Sequence, residues 1–346
     1  MRVLRFVLAG VAFALAFASA ASASYPWPIK PFDEQHPIRG FFGDPRTLYE
    51  NGVLADPFEG PGVFTFHQGI DIAAPNGTPV YAVATGTAHY LGASTLNLDT
   101  GKDVVFQYFH ITPVVGEDEH VIVRQTLLGY VQPPYAHVHL TEIDGSRAVN
   151  PLQEGHLTPY RDTTRPTIRD IVIRNQSGDL QTPLGMCGRV EFAVDAFDTP
   201  PVPVPGVFQG LPVAPTLVRW SVGHLNGRIV IPWRTAADFR TTLPGNSAFW
   251  NIYAKGTYEN APRFGAQQYA TMPGRYLFLL ASNFDTTSLP NGVYLLSVRV
   301  SDERANTARL SERFSVLNAR SGACPGSLPA PPAANPPSTE PPSSTP

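Results

Sequence analysis

The sequence is poor in cysteine, in charge and in long apolar runs, and each shortage narrows what the protein can be. Only two cysteines occur in 346 residues, Cys187 and Cys324, and neither lies near a histidine motif, so neither reads as a metal ligand. Charged residues make up 15% and the formal net charge is −3. With no basic stripe, nucleic acid is excluded as a partner. The longest apolar run covers residues 6–18, 13 residues in all. A bilayer-spanning helix needs about 20, so stable membrane insertion is excluded once the leader is removed. What is abundant is proline (36) and glycine (29), set among Val, Thr, Tyr and Phe. That mixture favours short strands and turns over long helices.

The N-terminus reads as a secretory signal over residues 1–23. Arg2 and Arg5 precede the apolar run, and the small-residue triplets at 18–20 and 21–23 offer cleavage sites. Removing those two arginines takes the charge from 25 − 28 = −3 to 23 − 28 = −5. The expected destination is extracellular, or the cell envelope. Export makes a Cys187–Cys324 disulfide the expectation. Closing so long a loop is worth about 4–5 kcal/mol at most in the chain-entropy model.

Strand-like stretches with period-two alternation and turn signals fill 25–152, which predicts an antiparallel-sheet domain with almost no helix. Residues 51–64 read as a loop, and 153–166 mix Pro, Thr and charge as a linker. Residues 167–324 carry regularly spaced short strands, which predicts a loosely immunoglobulin-like β-sandwich. The Pro-rich run at 198–206 reads as a protruding loop. Residues 325–346 hold nine prolines and one charge and read as a disordered or polyproline tail. The expected class is all-β.

The chemistry concentrates in YAHVHLTE, residues 135–142. On a strand, His137 and His139 project from one face while Val138 and Leu140 project from the other, toward a core. An earlier stretch, HQGID at 67–71, adds His67 and Asp71, four apart and so on one face of a strand or a helix. These donors suit zinc. His67, Asp71 and one of the His137/His139 pair make three ligands. A fourth tetrahedral position then stays open, as in catalytic zinc sites. The other member of the pair, or His110 at the end of its strand, could move a proton. Spacing alone does not divide the pair. A cupin-type site also uses His-X-His with a glutamate, but Glu142 follows too closely and His67 and Asp71 would be left unexplained.

The ordered motifs FHQGIDIAAPNGTPVYAVATG (66–86), YFH (108–110), HVH (137–139), DG (144–145) and VNP (149–151) resemble the M23 (lysostaphin/LytM-like) zinc metallopeptidases, and PIRGFFG (37–43) resembles the start of that domain. The resemblance covers roughly 35–152. It implies an antiparallel β groove that cleaves stem or cross-link peptides of bacterial peptidoglycan, with Zn2+ as cofactor. Carried over by motif, His67, Asp71 and His139 match the zinc ligands, His137 the catalytic histidine and His110 the second active-site histidine. One departure is QPPYA at 132–136, shorter and stiffer than the family's Gly/Ser/Thr-rich loop, which bears on groove shape and substrate. The leading expectation is a secreted zinc endopeptidase acting on peptidoglycan. The rival is a cell-wall binding or scaffolding protein whose peptidase-like domain does not hydrolyse. His36, His89, His120, His156 and His224 match nothing and read as surface or packing residues.

Overall fold

The computed structural model describes residues 24–50, 53–54, 63–264 and 267–318. The expected leader, the Pro-rich tail and Cys324 lie outside the described residues. Cys187 is disulfide-bonded.

The architecture is almost entirely antiparallel β; among the described residues the only α-helix is the four-residue Phe249–Ile252. No described helix is long and apolar enough to cross a membrane. An eight-stranded sheet dominates the first half, with His137–Asp144 between Ile70–Ala73 and Val104–Phe109. Period-two alternation sorts these strands. Ile70, Ile72, Val138, Leu140 and Tyr108 are all fully buried on one face, while Asp71, His137 and His139 go to the other. Register does the rest: Asp71 stands directly opposite His139, and Ala73 opposite His137.

The second half forms two larger antiparallel sheets, beside a short two-stranded pair of Arg263–Phe264 with Gln267–Gln268. One has three strands, Thr167–Asn175, Arg189–Phe197 and Leu277–Asp285. The other has four, Ile229–Asp238, Leu217–His224, Gly292–Ser301 and Thr307–Val316. Phe192, Val194 and Phe278 from the first share a core with Trp220, Val222, Val298 and Phe314 from the second, the arrangement of a sandwich.

One local expectation is corrected. Residues 51–64 are not all loop, because Val63–Phe66 is a strand paired with Pro45–Glu50. The 198–206 run is pinned at two points, Asp198 (1% exposed) and Val204 (3%), while Thr199, Pro203, Pro205 and Gly206 are exposed. Within the 153–166 linker, Leu157 and Tyr160 are buried in the core beneath the large sheet.

The two halves also share apolar core. Phe42, Phe64 and Phe66 pack into the sandwich core, with Phe66 5.7 Å from Phe239 and 5.3 Å from Phe249 between ring centroids. In return Val213 packs into the core beneath the large sheet. Polar contacts cross the same boundary: Ala214 N donates to Asp44 Oδ1 at 2.6 Å, and Tyr253 Oη donates to the Gly43 carbonyl at 2.7 Å. The segment leading into His67 is thus held from both sides.

Candidate metal centre

The polar face of the central strands collects the histidines. His67 Nε2, Asp71 Oδ1 and His139 Nδ1 form a triangle with edges of 2.9, 3.1 and 3.1 Å. Tetrahedral zinc with nitrogen and oxygen ligands at about 2.0–2.2 Å needs donors about 3.3–3.5 Å apart, so a small adjustment outward admits the ion.

The protons test the fit more sharply. His67 Nδ1 lies 2.8 Å from the Phe41 carbonyl, which accepts only, so Nδ1 carries the proton and Nε2 turns a lone pair inward. His139 Nε2 lies 2.8 Å from Thr141 Oγ1, and with the ring proton there Nδ1 also turns a lone pair inward. Two imidazole lone pairs and a carboxylate oxygen then face one another without a proton among them, an arrangement that a cation satisfies. Outer hydrogen bonds that fix the ligand tautomer are the usual support of a metal site.

Charge agrees. Burial drives His67 down to about 3, and the Arg46 guanidinium adds to the effect, so the ring is neutral. Burial alone would raise Asp71, but its interactions with the surrounding His67, His137 and His139 rings hold it well below the usual carboxylate range. Its other oxygen, Oδ2, accepts from Arg46 Nη2 at 2.9 Å. Arg46, which also lies 3.6 Å from Asp44, therefore orients Asp71 with Oδ1 toward the histidines.

His137 belongs to the same cluster. Its Nδ1 donates to the Tyr135 carbonyl at 2.8 Å, which leaves Nε2 facing Asp71 Oδ1 at 3.4 Å. Of the pair, His139 is the one whose ring nitrogen closes the triangle with His67 and Asp71. His110 follows its strand rather than ending it, in a left-handed conformation with φ of 62° that is uncommon outside glycine. Its ring stacks on Tyr135 at 4.1 Å and stands 4.6 Å from the His137 ring. Burial, with His137 next to it, pushes His110 down to about 4. The stiff 132–136 loop therefore serves both histidines: the Tyr135 ring holds one and its carbonyl the other.

All five sequence-predicted site residues come together. Sequence reasoning missed Arg46, Thr141 and the Phe41 carbonyl, whose spacing carries no signal, and Arg39. The Arg39 guanidinium reaches the Tyr135 carbonyl at 3.1 Å and lies 4.3 Å over the Phe208 ring, so a sandwich-side turn borders the site. Glycine also matters here. A Cβ on Gly69 would lie 2.4 Å from the Leu140 carbonyl oxygen and 2.8 Å from His139 Nε2.

Residues 65–151, which hold His67, Asp71, His110, His137 and His139, match the model of peptidase family M23. This chain carries an M23 peptidase domain. No curated protein matches it. Among solved structures, the catalytic domain of the prophage-encoded M23 protein EnpA from Enterococcus faecalis is 23% identical over 31% of this chain and 95% of its own, with a TM-score of 0.24. LytU is 25% identical over 35% of this chain and 86% of its own, with a TM-score of 0.25. The SpoIIQ–SpoIIIAH pore-forming complex gives 16% identity over 38% of this chain and 89% of that one, with a TM-score of 0.29. Scores this low add nothing to the geometry of the M23 domain, and the sandwich lies beyond the matched residues.

Proposed function

We propose that this protein is an exported zinc metalloendopeptidase that hydrolyses peptide bonds of bacterial peptidoglycan, in stem or cross-link peptides. The observation that carries the reading is the set of two proton-free imidazole nitrogens and one carboxylate oxygen, 2.9–3.1 Å apart, with two further histidines beside them. His67, Asp71 and His139 would hold the ion. When bound, zinc supplies a Lewis acid that polarises the scissile carbonyl and acidifies water.

The chain's own groups do the rest. His137 accepts a proton at Nε2 from the attacking water. The imidazolium so formed is stabilised by Asp71 Oδ1 at 3.4 Å and by the Tyr135 carbonyl on its other nitrogen. The same Nε2–H then protonates the leaving amine. His110, neutral above about pH 4, donates an N–H toward the oxygen on which charge develops. Tyr135 and the Arg39–Phe208 pair border the groove and orient the peptide.

The test is digestion of purified sacculi by the zinc-loaded mature chain, with released fragments read by mass spectrometry. New amino and carboxyl termini within the peptide moiety are the expected result. Sacculi that bind the protein but release nothing would favour a scaffold instead.

A further inference from the structure

A second cluster of ionisable groups lies away from the histidines, where the 153–166 connector meets the sandwich. Asp162 belongs to the connector. Asp198 directly follows the Arg189–Phe197 strand of the three-stranded sheet, and Asp302 directly follows the Gly292–Ser301 strand of the four-stranded sheet. One carboxylate oxygen from each lies within 4.8 Å of the other two. All three residues are buried, at 7%, 1% and 3% exposure.

Their hydrogen bonds come only from uncharged donors. Asp162 Oδ1 accepts from the backbone N–H and hydroxyl of Thr164, and Oδ2 from Tyr160 Oη at 3.3 Å. Asp302 accepts from the backbone N–H groups of Arg304 and Asn306 and from the Asn306 side-chain amide. Asp198 Oδ1 accepts from the Thr199 N–H at 2.8 Å. Asp198 Oδ2 is left over; it is buried and has no hydrogen-bond partner. Among the described residues, no lysine or arginine pairs with any of the three. The Arg304 guanidinium donates instead to the carbonyls of Leu152 and Tyr160.

Three carboxylates this close cannot all ionise in a buried site without a counter-charge. Burial pushes Asp198 up to about 8, and the fields of Asp162 and Asp302 contribute. Burial also raises Asp302. The cluster must therefore hold either a proton or a cation. A donor set made only of carboxylate and other oxygens suits a hard cation rather than zinc. Calcium takes about six to eight oxygens in flexible geometry, whereas magnesium demands near-ideal octahedral geometry and usually keeps several waters. An all-protein oxygen cage in a buried junction therefore suits calcium better than magnesium.

We propose that Asp162, Asp198 and Asp302 form a calcium site that ties the connector to both sheets of the sandwich. The site also reaches the peptidase side. The backbone of Asp198 pairs with that of Val213, whose side chain is part of the core beneath the large sheet. Calcium here fixes the sandwich against the domain that carries the histidines.

The test is calorimetric titration of Ca2+ into the full mature chain, zinc-loaded and freed of calcium by gel filtration, with zinc content measured in parallel. One Ca2+ per chain is expected, with a Kd of about 10⁻⁴–10⁻³ M, the range of extracellular modules. At 100 times Kd, Tm should rise by about 4 °C for a chain of this length. Asp198→Asn and Asp302→Asn should each weaken calcium binding at least tenfold and abolish the Tm response while zinc content stays at wild type. The proposal is overturned if the folded wild-type chain takes up no calcium at 5 mM, or if both variants respond as wild type does. It is equally overturned if wild type ignores calcium while Asp198→Asn alone raises Tm at pH 8, the mark of a shared proton. Should a variant fail to fold, the wild-type titration decides. Because the readouts are calcium uptake and Tm, a missing peptidase activity leaves this outcome untouched.

Discussion

Replacing Gly69 by alanine tests whether the metal site is built by close approach. No left-handed φ is involved at Gly69, so alanine is compatible with its backbone and the cost is contact alone. The added Cβ would sit 2.4 Å from the Leu140 carbonyl oxygen, 2.8 Å from His139 Nε2 and 2.8 Å from Thr141 Oγ1. The first is backbone of the central strand and cannot swing aside. The other two are the hydrogen-bonded pair that sets the His139 tautomer, 2.8 Å apart. Relief needs a movement of about 0.5–1 Å between neighbouring strands, because contacts to a real Cβ are ordinarily about 3.4 Å or longer. Overpacking of this kind costs about 1–3 kcal/mol. Disturbing a ligand's outer hydrogen bond weakens metal binding about 10–100-fold. Zinc affinity by competition with a chromophoric chelator, alongside Tm by circular dichroism, reads both effects. A folded Gly69→Ala chain with zinc affinity within twofold of wild type would refute the steric account of the site.

Further outcomes follow from the same geometry. His139→Ala should lose zinc, whereas His137→Ala should keep one zinc per chain and lose about 10²–10⁴ in peptidase rate; metal analysis of both variants separates ligand from proton carrier. Phe66→Ala removes a ring that is 2% exposed and packed on Phe239 and Phe249, so stability should fall by about 3–5 kcal/mol. Calorimetry should show that loss in one transition shared by both halves, and a sandwich that melts unchanged would count against the shared core. In zinc-free protein His110 titrates near 4 in the fold, against about 6.5 unfolded. The unfolded chain therefore takes up the proton first, and stability falls as pH drops from about 6.5 to about 4. His110→Gln should flatten the Tm profile in that window, and an unchanged acid slope would exclude the residue as its source.

The face assignments were legible because strand geometry is short-range. His137-Val138-His139-Leu140 alternates, so two imidazoles and two apolar side chains had to part, and Val138 and Leu140 are fully buried. The division of labour between the two histidines was not legible, because both point the same way. The proposed division rests on distance: His139 Nδ1 lies 2.9 Å from His67 Nε2 and 3.1 Å from Asp71 Oδ1, whereas His137 Nε2 stands 3.4 Å from Asp71 Oδ1. Arg46 escaped because its contact with Asp71 spans 25 positions and follows no local period. The 51–64 stretch read as loop because its Gly and Pro content masked the short strand at its end.

The residues alone determined the chemistry on offer: nitrogen and oxygen donors on one face of strands, a strand-rich chain, and no apolar run long enough for a membrane-crossing helix. Local spacing and composition are enough for that, since each depends on neighbours a few positions apart. The tertiary structure alone decided that Asp71 lands opposite His139, that Phe66 anchors His67 in the sandwich core, and that Asp162, Asp198 and Asp302 meet at the junction. Those outcomes depend on strand register and on the docking of distant segments, which the linear order of residues does not encode at any fixed spacing.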